Sequence, residues 1–150
     1  QPDTWSMKYN LLFDRLLALN LFKPDKYARD IDYWISRQNR YGLPLDSRAT
    51  YTKTDWLVWC ASLTDDKARI QTLLEPVYRY YHETGSRVPM TDWYDTVTGR
   101  AIHFRNRTGN LTNAMRLLGR TRCHLSDFFS YLIHVCFHFG EFFIHQRDLL

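Results

Sequence analysis

Tyr41 to Trp59 reads YGLPLDSRATYTKTDWLVW. Its first half carries Gly42, Pro44, Asp46 and Ser47, residues that end helices and build turns. Pro44 has no amide hydrogen and biases the residue before it away from helical backbone. At Thr54 the character changes. Thr54 is a helix-capping type, and Asp55 places a negative charge at the positive end of a helix dipole. Residues 41–54 are therefore expected to form a long polar loop, with a helix from Asp55 to Ser62. Upstream, Asp3 and Thr4 can cap a helix to about Leu21, with Met7, Leu11, Leu12, Leu16 and Leu19 at helical spacing. Pro24 suits the first turn of a second helix, to about Asn39, with Tyr27, Ile31, Trp34 and Ile35 as its apolar face. Downstream, Thr64 is expected to cap a helix from Asp65 to about His82, kinked by Pro76. Gly85 ends it. A second long loop follows, and its YDTVTGR core fits a short hairpin through Thr98-Gly99.

Helices joined alternately by short and long loops, with no strand-and-helix alternation, disfavour a parallel-sheet fold. The expected class is all-α: antiparallel helical hairpins forming part of an (α/α) toroid, with long loops at one end. Sites collect on such loops because a rigid scaffold holds them.

The chain has 150 residues, 45% hydrophobic, 16% aromatic and 24% charged, with a net charge of +4. That composition fits a globular domain rather than a disordered one. Lys and Arg are interspersed with acids, and the six Arg between Arg100 and Arg122 are the one basic cluster. A nucleic-acid partner is not expected from such a pattern. No stretch reaches about 18 uncharged apolar residues, so no membrane span is expected. The chain starts at Gln1 without a signal-peptide pattern. Cys60, Cys123 and Cys136 have no CxxC or zinc spacing, and Cys60 reads as a small buried residue. His134 and His138 sit four apart, but HVCFH lacks the acid of a metalloprotease helix, so no metal or other cofactor is expected.

The two long loops hold the candidate chemistry. The first offers Asp46, Arg48, Tyr51, Lys53 and Asp55. An aspartate beside basic groups stays ionised and can activate water. Asp46 and Asp55 are both candidates for that role. Arg48 can clamp a carboxylate bidentately, and Lys53 can hold a carboxylate or a developing oxyanion. An Asp46–Arg48 ion pair that merely fixes the loop is the competing reading. The second loop offers Asp92 and Asp95, with Thr91 and Arg105. These acids are either a second carboxylate pair or turn caps. Trp56, Trp59, Trp93 and Tyr94 add aromatic walls of the kind that line small-molecule clefts. Asn106-Arg107-Thr108 and Asn110-Leu111-Thr112 are glycosylation triplets that matter only in a secretory pathway.

Three blocks carry a family resemblance: WSMKYNLLFDRLLALNLF (Trp5 to Phe22), YGLPLDSRATYTKTDWLVW (Tyr41 to Trp59) and RVPMTDWYDTVTGRAIHFRNRT (Arg87 to Thr108). Together and in this order they resemble the helical-hairpin domain of the glutaminase A family. The resemblance covers about residues 3–108. It implies a toroid similar to six-hairpin glycosidases, a β-rich N-terminal region in the parent protein, and a secreted or periplasmic setting. The implied reaction is hydrolysis of L-glutamine to L-glutamate and ammonia. The implied partners are a small-molecule substrate, glutamine or a sugar, and the remainder of the toroid. The expected organisation is a partial domain over residues 1–108, inactive alone. Residues 109–150 read as a divergent or frame-shifted tail with one apolar helix, Ser126 to about Gln146. A carbohydrate-acting toroid and a non-catalytic helical interaction module remain alternatives.

Overall fold

The computed structural model describes residues 2–86 and 91–102. Arg105, the two glycosylation triplets, Cys123, Cys136, His134, His138 and the expected tail helix lie outside the described residues. The described chain forms a 3-10 turn, Tyr9–Leu11, and then α1, Leu12–Leu16. It continues as α2, Pro24–Ser36; β1, Tyr51–Lys53; α3, Thr54–Ala61; α4, Lys67–Glu83; and β2, Trp93–Asp95. Helix dominates, as an all-α class requires, and one two-stranded ribbon joins the loop segments.

The first helix is far shorter than its apolar spacing predicts. Asp14, buried in α1, accepts hydrogen bonds from the backbone N–H groups of Leu21 and Phe22 and from the Tyr27 hydroxyl. A local carboxylate that satisfies backbone donors competes with helix continuation. The chain turns back through Ala18 and Asn20, both at positive φ (52° and 56°). Of the apolar positions at helical spacing, Met7 and Leu12 are buried and Leu11 packs on the core, but Leu16 and Leu19 are exposed, Leu19 by 50%, so the periodicity marks a core face only in its first half.

Pro24 begins α2 as expected, and the helix ends at Ser36, short of Asn39. Ile31 and Trp34 are its buried residues, and Trp34 Nε1 donates to the Ser6 carbonyl at 3.2 Å. Thr54 does not cap α3 through its side chain. It is the first helical residue, and its hydroxyl donates to the Asp92 carbonyl and accepts from Tyr81. Asp66, not Thr64, caps α4 by accepting from the Ala68 and Arg69 N–H groups. Thr64 instead accepts from the Asp66 N–H. Helix α4 runs unbroken through Pro76.

Residues 41–45 are not a solvated loop. Leu43 is fully buried and Tyr41 nearly so, among Ile31, Leu57, Leu73, Tyr80 and Tyr94 of the core. Buried backbone must find partners, and here it does. Tyr41 N–H donates to the Thr96 carbonyl at 2.8 Å, Met7 N–H to Leu45 at 2.7 Å, and Leu45 N–H to Tyr51 at 2.9 Å. Tyr94 stacks on Tyr80 with ring centroids 3.4 Å apart and donates its hydroxyl proton to the Tyr41 carbonyl.

Strands β1 and β2 pair antiparallel, Tyr51 with Asp95, Thr52 with Tyr94 and Lys53 with Trp93. Beyond β2 the expected turn forms. Asp95 N–H donates to the Arg100 carbonyl, and the Asp95 carboxylate accepts from the Val97 and Thr98 N–H groups. Gly99 sits at φ +69°, and a Cβ there would meet the Tyr41 ring at 3.1 Å. The turn needs glycine on both counts. The ribbon brings the two long segments together at one end of the helices.

Candidate functional site

Three residues at the junction of β1, α3 and β2 form a charged cluster. Lys53 is the last residue of β1, and its register partner is Trp93. The Thr54 N–H donates to the Asp92 carbonyl at 3.0 Å, tying Asp92 to the start of α3. Asp55 sits in the first turn of α3, and its Oδ1 accepts from the Trp56 N–H at 2.9 Å. Strand end and helix start thus aim one ammonium and two carboxylates at one spot.

Lys53 Nζ lies 3.8 Å from Asp55 Oδ2 and 3.7 Å from Asp92 Oδ2, with side chains 19%, 9% and 6% exposed. These are ion-pair distances, longer than direct hydrogen bonds. Nζ also faces the rings of Trp56, at 4.9 Å, and Trp93, at 5.8 Å, within cation–π range. Tyr9 stacks on Trp56 with centroids 4.1 Å apart and holds that ring in place.

Asp92 is the unusual member. Burial pushes its carboxyl above the ordinary carboxylate value, Lys53 opposes that shift, and the Asp55 charge adds to it. Its Oδ2 has no hydrogen-bond partner among the described residues. Nearby tyrosine hydroxyls are committed elsewhere: Tyr80 donates to the Thr91 carbonyl, Tyr81 to Thr54, and Tyr94 to Tyr41. A buried acceptor without a donor costs about 1–3 kcal/mol. Desolvation and the neighbouring like charge both favour the protonated form of Asp92 over the ionised one.

Asp46 and Arg48 are placed differently. Both carboxylate oxygens of Asp46 accept from Arg48, at 3.0 and 2.7 Å, and Oδ1 also accepts from the Arg48 N–H at 2.9 Å. The Arg48 guanidinium holds the Asp46 carboxyl below its ordinary value. The pair fixes the loop beside Ser6, with which Asp46 forms an antiparallel bridge. It borders an open cleft of about 590 Å³ with Trp5, Lys8, Asp30 and Tyr33. Another cleft, about 420 Å³, lies at Asp14 and Tyr27. Neither includes Lys53, Asp55 or Asp92. No hydrogen bond or ion pair joins Asp46 or Arg48 to that cluster among the described residues.

Of the other sequence candidates, Tyr51 pairs with Asp95 in the ribbon and packs its ring on Trp93 at 5.8 Å. Asp95 caps the turn and is not a second member of a carboxylate pair with Asp92. Trp59 packs against Tyr9 and Phe13. Cys60 is buried, and burial pushes its thiol well up. Tyr9 was not singled out by sequence reading. It lies in the resembling block Trp5 to Phe22, but nothing in its spacing points to Trp56. No group of three or more His, Cys, Asp and Glu suited to a metal occurs among the described residues. No helix among them is long and apolar enough to cross a membrane.

An all-α helical unit that gathers charged side chains where two long interhelical segments meet is the class that fold and site define. The sequence matches the family model of the glutaminase A six helical-hairpin domain over residues 1–113, and the chain belongs to that family. It is 34% identical to a glutaminase A of Aspergillus oryzae over 97 residues, 65% of this chain and 14% of that protein. It is 27% identical over 120 residues to a probable glutaminase of Arthroderma benhamiae, 62% of this chain and again 14% of the relative. The chain thus spans a small part of the length of the curated relatives it matches. No solved structure matches it.

Proposed function

We propose that this chain carries part of the reaction centre of a glutaminase-like amidohydrolase, and that Lys53, Asp55 and Asp92 are its acting groups. The observation that carries this reading is Asp92 Oδ2: 3.7 Å from Lys53 Nζ, almost fully buried and, among the described residues, without a hydrogen-bond donor. The names of the two relatives support the reaction class. The chemistry is R–CONH2 plus water giving R–COO⁻ plus ammonium.

Each group has one task. Asp55 takes a proton from the attacking water as the new carbon–oxygen bond forms. Lys53 faces the oxygen that becomes an oxyanion and stabilises its charge. Asp92, protonated, gives its proton to the nitrogen as the carbon–nitrogen bond breaks. Ammonia leaves, and proton exchange through solvent resets the two acids. Asp46, engaged by Arg48, is a poorer base than Asp55 because both its oxygens are already hydrogen-bonded.

A carbohydrate-acting reading is less well supported. Sugar platforms need a free aromatic face, and Trp56 is already engaged by Tyr9 and by Lys53. A chain that covers 14% of each relative's length fits one wall of a site, completed by other parts of a secreted parent toroid. A part-built site does not hold a substrate in reacting geometry. Purified chain is therefore expected to bind L-glutamine weakly and to release negligible ammonia. The test is a glutamine titration that follows the Trp56 and Trp93 indole N–H signals. The reading predicts saturable shifts that disappear in Lys53→Met. Absence of any response well above about 1 mM, a typical upper Michaelis constant, contradicts it. So does ammonia release that survives Asp92→Asn.

A further inference from the structure

We infer that the open cleft of about 590 Å³ between Trp5, Tyr33 and Arg48 binds a neutral sugar ring, at a site separate from the Lys53 cluster. The cleft lies where the N-terminal segment, α2 and the loop at Asp46 meet, and its volume falls within the range of about 300–1,000 Å³ of small-molecule sites. The inference does not rest on the amidohydrolase reading.

Two ion pairs line the cleft. Lys8 Nζ donates to Asp30 at 2.9 Å, and Arg48 donates to both carboxylate oxygens of Asp46 at 3.0 and 2.7 Å. Neither pair exhausts its members. Lys8 uses one of three ammonium hydrogens on Asp30, and Arg48 grips Asp46 through Nε and Nη2, which leaves Nη1. The Asp30 oxygens accept one hydrogen bond each, from Lys8 and from Lys26, and every carboxylate oxygen can accept two. The acids are recessed, each 17% exposed, while Lys8 and Arg48 stand nearer solvent. A ligand therefore meets donors and acceptors side by side.

Vicinal hydroxyls match that pattern. One hydroxyl donates to the carboxylate while its neighbour accepts from the cation, and neither ion pair has to open. The lining carries two charges of each sign. A simple anion uses Lys8 and Arg48 but faces Asp30 and Asp46. A simple cation uses the acids but faces Lys8 and Arg48.

Trp5 and Tyr33 supply the apolar half of the match. Their rings meet edge to face, 76° apart with centroids at 6.3 Å, and make a corner in the wall. Arg37 already lies over the Tyr33 ring at 5.0 Å. No second ring and no cation lies on Trp5 among the described residues. The electron-rich face of an indole attracts the C–H edges of a sugar ring. Trp56 offers no such surface, since Tyr9 and Lys53 flank it. Trp5 is also held in place. Its N–H donates to Ser47 Oγ at 3.3 Å, and its carbonyl accepts from the Ser47 N–H at 3.0 Å. That ties the ring to the loop that carries Asp46 and Arg48. An amino-acid zwitterion also brings both charge signs, but it has no flat C–H face for Trp5.

The test adds the methyl glycosides of glucose, mannose and galactose to the full chain at pH 7. Binding is read by saturation transfer from aromatic protons to sugar C–H protons. At least one glycoside is expected to bind saturably, with transfer concentrated on one face of its ring. Trp5→Leu is expected to weaken it at least about fivefold. Arg48→Gln is expected to weaken it about tenfold, and this exposed position tests the inference should Trp5→Leu not fold. No saturation by any of the three at about 100 mM overturns the inference. So does an affinity unmoved by Arg48→Gln, or tighter binding of glucuronate or glucosamine than of the glycosides. Displacement of the glycoside by L-glutamine also overturns it and assigns the cleft to an amino acid. Glutamine shifts at Trp56 and Trp93 without glycoside binding remove this inference and leave the amidohydrolase. Glycoside binding without those shifts does the reverse.

Discussion

Asp46 and Asp92 are both loop aspartates beside a cation, yet they occupy opposite physical regimes. Asp46 is gripped through three hydrogen bonds by Arg48, whose side chain is 82% exposed, and the pair is a fastening on the surface. Asp92 is buried and approached by Lys53 at 3.7 Å, and among the described residues no donor reaches its Oδ2. Proximity in sequence to a basic residue marks the first. Only tertiary structure reveals the second, because Lys53 and Asp92 are 39 positions apart and meet through the β1–β2 register. A well-satisfied charge pair holds a fold together, and an under-satisfied one is where chemistry can occur.

The largest expected effect tests the buried side of this contrast. Lys53→Met leaves two carboxylates facing each other without their cation and is expected to cost about 3 kcal/mol at pH 7. Arg48→Met is expected to leave the urea midpoint nearly unchanged, because an exposed pair contributes little. Equal losses in the two variants would erase the distinction.

Removing the aromatic support comes next. Tyr9→Leu abolishes the stack on Trp56 and is expected to cost about 1 kcal/mol beyond lost burial, while Tyr9→Phe retains it. The readout is the Trp56 indole signal, which moves in Tyr9→Leu and stays in Tyr9→Phe.

The smallest effects are the most diagnostic because they differ in sign with pH. The Asp46 carboxyl is held below its ordinary value by Arg48. Its contribution to stability is present above that ordinary value and is lost as pH falls through the folded one. The Asp92 carboxyl is raised, mainly by burial. Its contribution is present below the ordinary value and is lost as pH rises through the raised one. Between pH 3 and pH 7, Asp46→Asn should therefore lose stability relative to the parent chain, and Asp92→Asn should gain it. Denaturation of both variants at the two pH values measures the crossing.

Much of the scaffold was legible from residue types. Pro24 opens α2, the Thr98-Gly99 turn forms, and α3 and α4 lie within two residues of their expected starts. The first helix was misread because leucine spacing was weighed without the local pull of Asp14 on Leu21 and Phe22. The 41–45 segment was misread as polar because Gly42 and Pro44 mark turns without saying whether the turn is covered. At the site, Lys53, Asp55, Asp92, Trp56 and Trp93 were all candidates by chemistry. Their separation from Asp46 and Arg48 was not legible, since strand register decides which loop residues meet. Tyr9 was missed because a stacking partner 47 residues away leaves no local pattern.

The most direct measurement is a carbon-13 titration of the Asp46 and Asp92 side-chain carboxyls in one sample, repeated in Lys53→Met. Asp46 should titrate below the ordinary carboxylate value of 3.8 and Asp92 above it. In Lys53→Met, Asp92 should move further up and Asp46 should stay. An Asp92 that titrates at or below Asp46, or that ignores the loss of Lys53, would contradict a buried carboxylate poised by that lysine.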